Sequence, residues 1–103
     1  MCFDHLTNLG WILVHKDKEC RTDDILKPRL KTVSDCAVAC KNLSSMFVFD
    51  QECSSFTGCY CYCEIYAEPN GTCSTKDALS YNLYKYVNSE YFKLLKYKLH
   101  LKC

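Results

Sequence analysis

The stretch that decides the fold is Thr32-Val33-Ser34-Asp35-Cys36-Ala37-Val38-Ala39-Cys40, which has the pattern of a capped helix carrying two cysteines. Thr32 is suited to the N-cap position, and Asp35 favours the positive end of the helix dipole. Four side chains follow the i, i+3, i+4, i+7 spacing of a single helical face, namely Val33, Cys36, Ala37 and Cys40. The pattern predicts a helix that disulfides fix to another element; the alternative is that its cysteines are small buried hydrophobic residues.

The composition favours the disulfide interpretation. The chain has 103 residues and ten cysteines, an even number that allows every thiol to pair. A short chain with this cysteine content is typical of disulfide scaffolds from an oxidising compartment. The length predicts one domain with a modest core. The formal net charge of +1 lacks the basic excess typical of nucleic-acid binding, so no nucleic-acid partner is predicted.

Localisation rests on the cysteine content alone. No apolar run approaches the roughly 18 to 20 residues of a membrane span. Residues 1–10 have neither the basic flank nor the apolar run of a signal peptide. We therefore expect a secreted protein or the ectodomain of a larger one, represented here by a fragment or an incomplete gene product. The predicted organisation is an N-terminal extension over 1–10, a domain over 11–87, and a tail or linker from 88 to 103.

The strongest strand pattern is Cys59-Tyr60-Cys61-Tyr62-Cys63, which places three cysteines on one face and two tyrosines on the other. Further strands are predicted at 11–15, 46–49 and 81–87. Residues 16–21 are predicted to form a charged loop, and residues 23–31 a polar connection. Residues 91–102 fit either a strand or, in their earlier part, a helix.

Geometry relates the helix to the cysteine strand. Helix positions four apart are separated by about 6 Å, and strand positions two apart by roughly 6.5 to 7 Å. A helix lying across the sheet can therefore present Cys36 and Cys40 to two successive strand cysteines. We predict at least one such disulfide, with Cys36 as the favoured helix partner. Spacing alone does not fix connectivity, and two further pairings are hypotheses, Cys20 with Cys73 and Cys2 with Cys103.

Taken together, these patterns resemble the PAN/apple family of extracellular modules. The resemblance covers residues 11–87 and rests on five features: the strand at 11–14, the helix at 32–40, Met46-Phe47-Val48-Phe49-Asp50, the strand from Cys59, and Asn82-Leu83-Tyr84-Lys85-Tyr86. It implies an α+β fold in which an antiparallel sheet cradles one helix held by helix-to-sheet disulfides. It also implies a non-catalytic module that binds a protein or a carbohydrate.

The chain departs from the family pattern at one place. The family usually has a cysteine just before the Phe-x-Phe strand that pairs with the second helix cysteine, whereas this chain has Ser44 and Ser45 there. The resemblance therefore leaves Cys40 to pair with Cys53 or with a cysteine of the strand at 59–63.

No catalytic, metal or cofactor site is predicted. The chain has no Cys-x-x-Cys pair of the kind used in thiol redox enzymes. The strand cysteines are spaced by one residue, and the histidines are scattered, which does not match zinc-ligand spacing. His15 has no neighbouring group in the sequence to orient it as a base, and we interpret it as a surface histidine at the end of a strand.

Several surface residues are candidates for modification or binding. Two sequons predict N-glycosylation at Asn42 and Asn70. Tyr60 and Tyr62 form either an exposed aromatic patch that binds a ligand or a second small core, and the second interpretation is favoured. Three basic residues could meet an acidic partner or a sulfated glycan, namely Lys16, Lys18 and Arg21. The favoured interpretation is that they belong to a solvated loop.

The function that these features predict is extracellular recognition of a protein or glycan, without catalysis. The alternative is a small secreted effector or inhibitor that acts as a stand-alone domain. The sequence makes no prediction of oligomeric state.

Overall fold

The computed structural model of the chain describes residues 2–4, 9–53 and 56–87. These residues form one antiparallel sheet and one short helix, a small disulfide-rich α+β domain. The elements in chain order are β1 (Cys2–Asp4), β2 (Leu9–Cys20), β3 (Ile25–Leu30), α1 (Val33–Cys40), β4 (Met46–Asp50), β5 (Cys59–Cys63) and β6 (Thr75–Val87). The strand order in the sheet is β1-β2-β6-β4-β5-β3.

Helix α1 has the predicted cap and the predicted buried face. Thr32 has extended backbone angles, and its hydroxyl accepts a hydrogen bond from the Asp35 amide at 3.1 Å. Cys36, Ala37 and Cys40 are buried against the sheet. From strand β6, the Tyr86 hydroxyl donates a hydrogen bond to the backbone carbonyl oxygen of Ala37 at 2.5 Å. These contacts fix the helix across the centre of the sheet.

The sheet separates two cores, because alternate side chains of a strand point to opposite faces. Every residue of β4 is buried. Phe47 and Phe49 belong to the core on the helix side, where Phe47 stacks on Tyr84 with ring centroids 5.1 Å apart. Met46 and Val48 belong to a second core on the opposite side, with Cys20 and Leu83. A central strand with a core on each side explains the continuous apolar run of β4.

The prediction of a loop over 16–21 is wrong, because β2 continues as a strand to Cys20. Its charged side chains face opposite charges on β6: Lys18 pairs with Asp77, and Glu19 lies 3.2 Å from the Lys76 ammonium. Cross-strand pairs of opposite charge suit an antiparallel ladder. Because these cross-strand pairs extend the ladder, β6 begins at Thr75 and not at residue 81 as predicted.

The prediction of a polar connection over 23–31 is also wrong, because these residues contain the edge strand β3. Pro28 lacks a backbone donor and is tolerated at an edge, where the register with β5 shifts between Lys27 and Leu30. At the opposite edge, β1 pairs with β2, so the stretch taken as an N-terminal extension contributes a strand to the sheet. Cys103, the proposed partner of Cys2, and the segment at 91–102 lie outside the described residues.

Two residues in the long β2–β6 pair have a left-handed backbone, Asp17 with φ 56° and Ser80 with φ 70°. The Asp17 carboxylate accepts a hydrogen bond from the Ser80 amide at 2.9 Å. The Ser80 hydroxyl donates to the Asp50 carboxylate at 2.7 Å. Contacts between three strands thus hold a conformation that non-glycine residues rarely adopt.

Candidate recognition surface

Both helix cysteines are bonded to the cysteine strand. Cys36 is joined to Cys61 and Cys40 to Cys63, with Cα–Cα distances of 5.6 and 5.3 Å. The remaining strand cysteine, Cys59, is joined to Cys53 across a separation of six residues. Successive thiols of the helix thus meet successive thiols of the strand, as their matched spacings predict. Of the alternatives for Cys40, the structure has the strand cysteine and not Cys53.

The fourth disulfide among the described residues joins Cys20 to Cys73, the hypothesised clip, with a Cα–Cα distance of 5.7 Å. It holds the segment after β5 against the end of β2. On the helix side, the sulfurs of Cys36, Cys40 and Cys61 all lie within 4.8 Å of one another. Each of these sulfurs belongs to a disulfide, so none is a thiolate, the form in which cysteine binds metal.

The sheet face that points away from the helix carries a row of three aromatic residues, which we call the tyrosine row: Tyr60 and Tyr62 on β5, and Tyr81 on β6. The ring centroids of Tyr60 and Tyr62 are 6.2 Å apart, and those of Tyr62 and Tyr81 are 5.7 Å apart. All three side chains are half-buried. Leu26 lies opposite Tyr62 on the edge strand and is 54% exposed. The row and Leu26 form a continuous, partly apolar strip on the sheet.

The two sequence interpretations of the tyrosines each describe part of this strip. Tyr62 and Tyr81 pack on the second core, so they help to cover Met46, Val48 and Leu83. They also remain half-exposed, which leaves part of each ring available to a ligand. No local pattern identifies Tyr81 as a neighbour of Tyr62, because the pairing of β4 with both β5 and β6 brings the two residues together.

The hydroxyl of Tyr81 stays protonated throughout the ordinary pH range. Burial raises the pKa of Tyr81 most, the Tyr62 hydroxyl adds to the shift, and the charges of Asp50 and Glu19 contribute further. A protonated phenol is both a hydrogen-bond donor and an acceptor. The tyrosine row therefore presents polar atoms beside its apolar rings.

Arg29 is fixed on the first member of the row. Its guanidinium carbon lies 4.5 Å from the Tyr60 ring centroid, and its Nη2 donates a hydrogen bond to the Tyr60 hydroxyl at 2.6 Å. The side chain of Arg29 is otherwise exposed. Arg29 lies in the stretch at 23–31, whose polar composition predicts only a connection and carries no local signal for a binding residue. The pairing of β3 with β5, which places Arg29 beside Tyr60, is the information needed to select this residue.

The basic residues selected from the sequence lie elsewhere. Lys16 is exposed on β2, Lys18 is paired with Asp77, and Arg21 follows the end of that strand. In the sheet, three strands separate β2 from β3, which carries Arg29. The structure therefore does not combine these residues with the tyrosine row. His15 is exposed within β2, although it lies in the middle of the strand and not at its end.

A buried carboxyl lies where the chain leaves β5. Glu64 has no exposed surface, and neither of its carboxyl oxygens has a hydrogen-bond partner among the described residues. Burial raises the pKa of Glu64 to about 9, and the neighbouring carboxyl of Asp24 and the charge of Glu19 add to the shift. Asp24 occupies the position opposite Glu64 if the β3–β5 register is continued by one residue. Burial without a cationic partner therefore favours the protonated, uncharged form of Glu64.

The enclosed space in the second core is small. A cavity of about 120 Å³ lies between β2, β6 and the turn at 71–73, with Val14, Met46 and Leu83 among its lining residues. Small-molecule sites typically have about 300 to 1,000 Å³. The open tyrosine row is therefore the better candidate for recognition.

Both glycosylation candidates are accessible. Asn42 is exposed in the turn after α1, and Asn70 is exposed in the turn before Gly71. The Thr72 hydroxyl donates to the Asn70 side-chain oxygen at 2.8 Å. We expect each sequon to accept a glycan in a host that glycosylates secreted proteins. Intact mass before and after enzymatic deglycosylation measures occupancy, and Asn42→Gln and Asn70→Gln should each remove one glycan. If the mass released by deglycosylation were the same in a variant as in wild type, that site would be excluded.

Comparison of the chain with protein-family models, with curated proteins and with solved structures found no match. In the part of the chain that the structure describes, no helix has the length and apolar character needed to cross a membrane.

Proposed function

We propose that this protein is an extracellular recognition module of the PAN/apple type, which binds a protein or a carbohydrate and catalyses no reaction. The observation that carries the proposal is the tyrosine row with Arg29, on the sheet face opposite the disulfide-bonded helix. The four disulfides support an oxidising, extracellular location. The capped helix bonded twice to the cysteine strand supports the family resemblance.

The division of the two sheet faces supports recognition by the tyrosine row. On one face the helix and its disulfides cover the core. On the other face, tyrosine and arginine side chains remain partly open beside the exposed Leu26. Tyrosine and arginine are enriched among residues that dominate binding energies, since each combines a large contact area with hydrogen-bonding groups. The rigid sheet holds these groups in place before binding.

The alternative is a secreted effector or inhibitor that acts as a stand-alone domain and uses the same surface. The observation that favours it is the density of disulfides, which allows a domain with a small core to fold without neighbouring modules. The full-length transcript distinguishes the two: neighbouring modules support the adhesive module, and a signal peptide followed by this domain alone supports the effector.

Variants on the tyrosine row test the proposal. We expect the double variant Leu26→Ser/Tyr60→Ala to lose roughly tenfold or more in affinity for its ligand, because it removes an apolar contact and the support of Arg29. Arrays of extracellular proteins and of glycans, probed with wild type, identify the ligand, and titration of each variant measures the affinity.

The matched control is Val38→Ser, which changes an exposed apolar residue on the helix. It should leave the affinity within about twofold of wild type, as expected for a residue outside the contact. Ligands that respond to Val38→Ser and not to the double variant would place recognition on the helix and contradict the proposal.

A further inference from the structure

We propose that the partner is a protein, and that Arg29 binds a carboxylate side chain of that protein while Leu26 makes the adjoining apolar contact. This inference rests on the recognition function proposed above and names the class of ligand that the tyrosine row accepts.

The Arg29 guanidinium is oriented in a way that suits binding of an anion. Stacking on Tyr60 and the hydrogen bond to its hydroxyl orient the guanidinium before any ligand arrives. A guanidinium has five N–H donors in a planar fork that matches a carboxylate. Only one donor is used by Tyr60 in this arrangement, so the others are available to a ligand.

The charge of Arg29 is not neutralised within the described part of the chain. The ion pairs found there join Lys18 to Asp77 and Lys76 to Glu19, both on the β2–β6 side of the sheet. Lys27, the neighbouring cation on β3, lies opposite Cys61 and therefore faces the helix side. Arg29 is thus the fixed positive charge beside the tyrosine row, and its electrostatic complement is an acidic group.

The ring geometry favours a protein over a glycan. Sugar rings bind best on a flat, open aromatic face, but Tyr60 and Tyr62 are tilted by 30° and Tyr62 and Tyr81 by 51°. The guanidinium of Arg29 also covers the ring of Tyr60. An uneven surface of tyrosine and arginine with the 54% exposed Leu26 beside it has the character of a protein interface.

Selection from a random peptide library displayed on phage tests this inference with defined probes. We expect peptides selected on wild type to share an aspartate or glutamate next to an apolar residue. The affinity of the synthetic peptides, measured by fluorescence anisotropy, should fall roughly 10- to 100-fold with Arg29→Gln, because a charge-assisted hydrogen bond is lost. Replacing the acidic residue of the peptide by its amide should cause a similar loss, and Arg29→Lys a smaller one.

Arg21→Gln is the matched control, because it removes the same charge from an exposed arginine outside the row. It should change the affinity by less than about twofold, since long-range charge effects are screened by salt. Near-ultraviolet circular dichroism of each variant checks that the fold is retained.

Two results would overturn the inference and leave the recognition function standing: row-binding peptides without an acidic residue, or equal losses for Arg29→Gln and Arg21→Gln. A row that binds glycans and selects no peptide would overturn it in the same way. Peptides that are insensitive to Leu26→Ser/Tyr60→Ala would contradict both this inference and the proposed site.

Discussion

The double variant Cys36→Ala/Cys61→Ala is expected to unfold at a much lower denaturant concentration than wild type. The bond closes a loop with a sequence separation of 25 residues, for which chain entropy predicts a loss of about 3 to 4 kcal/mol in the free energy of unfolding. Replacing both residues avoids a free thiol that could exchange with Cys40, whose sulfur lies 3.9 Å from that of Cys61. The loss is a large part of the roughly 5 to 15 kcal/mol that stabilises a typical domain.

Urea denaturation without reductant, followed by circular dichroism, measures this loss. The control is Cys53→Ala/Cys59→Ala, whose disulfide spans six residues and for which the same model predicts about 2 kcal/mol. A peptide map of the native protein under non-reducing conditions verifies the pairs. If the two double variants were equally stable, or if Cys36 were bonded to another cysteine, the helix attachment would not be the main constraint on the fold.

Glu64→Gln is expected to stabilise the protein at pH 8 by on the order of 5 kcal/mol relative to its effect at pH 4, where the change should be small. At the higher pH, folding of wild type must either protonate Glu64 or bury its charge beside Asp24 and Glu19. A glutamine amide carries no charge, so its burial has no such cost at either pH.

The sign of the pH dependence follows from proton binding. The pKa of Glu64 rises to about 9 in the folded protein from 4.5 in the unfolded chain, so between these values the folded state holds one proton more. The contribution of Glu64 to stability is complete below pH 4.5 and falls by about 1.4 kcal/mol per pH unit above it, until pH 9.

Thermal unfolding of both proteins from pH 4 to 9 measures this difference. The exposed Glu68 in the same segment provides the control, and Glu68→Gln should leave the pH profile of wild type unchanged. Asp24→Asn should shift the profile only in part, because burial is the largest cause of the raised pKa. Parallel profiles for wild type and Glu64→Gln would show that Glu64 ionises normally in the folded protein.

Local patterns predicted the helix and its attachment. Thr32 identified the cap, and the matched spacing of the helix and strand cysteines predicted at least one disulfide between them, of which the structure has two. The same alternation placed Tyr60 and Tyr62 on the other face. The cap and the faces on which the cysteines and tyrosines lie depend on residues close together in sequence, so elementary helix and strand geometry was sufficient for them. The disulfides join residues 25 and 23 positions apart, and their partners came from the structure.

The predictions of a loop over 16–21 and of a connection over 23–31 failed because pairing with a distant segment makes strands of these residues. Lys18 and Glu19 look like loop residues until Asp77 and Lys76 lie opposite them and complete a ladder. Charged residues carry no strand signal of their own, because their contribution comes from the paired strand.

The sequence by itself determined the capped helix and the face of helix or strand on which each cysteine lies, because these follow from the helical and strand periods. The structure decided which of these cysteines pair. Only the tertiary structure decided which groups accompany the tyrosines. Arg29 reaches Tyr60 through the β3–β5 pairing, and Tyr81 reaches Tyr62 because β4 pairs with both β5 and β6. Likewise, the groups that act on the buried Glu64, namely Glu19, Cys20 and Asp24, come from earlier parts of the chain. These contacts join residues far apart in the chain, whose proximity depends on strand order and not on local spacing.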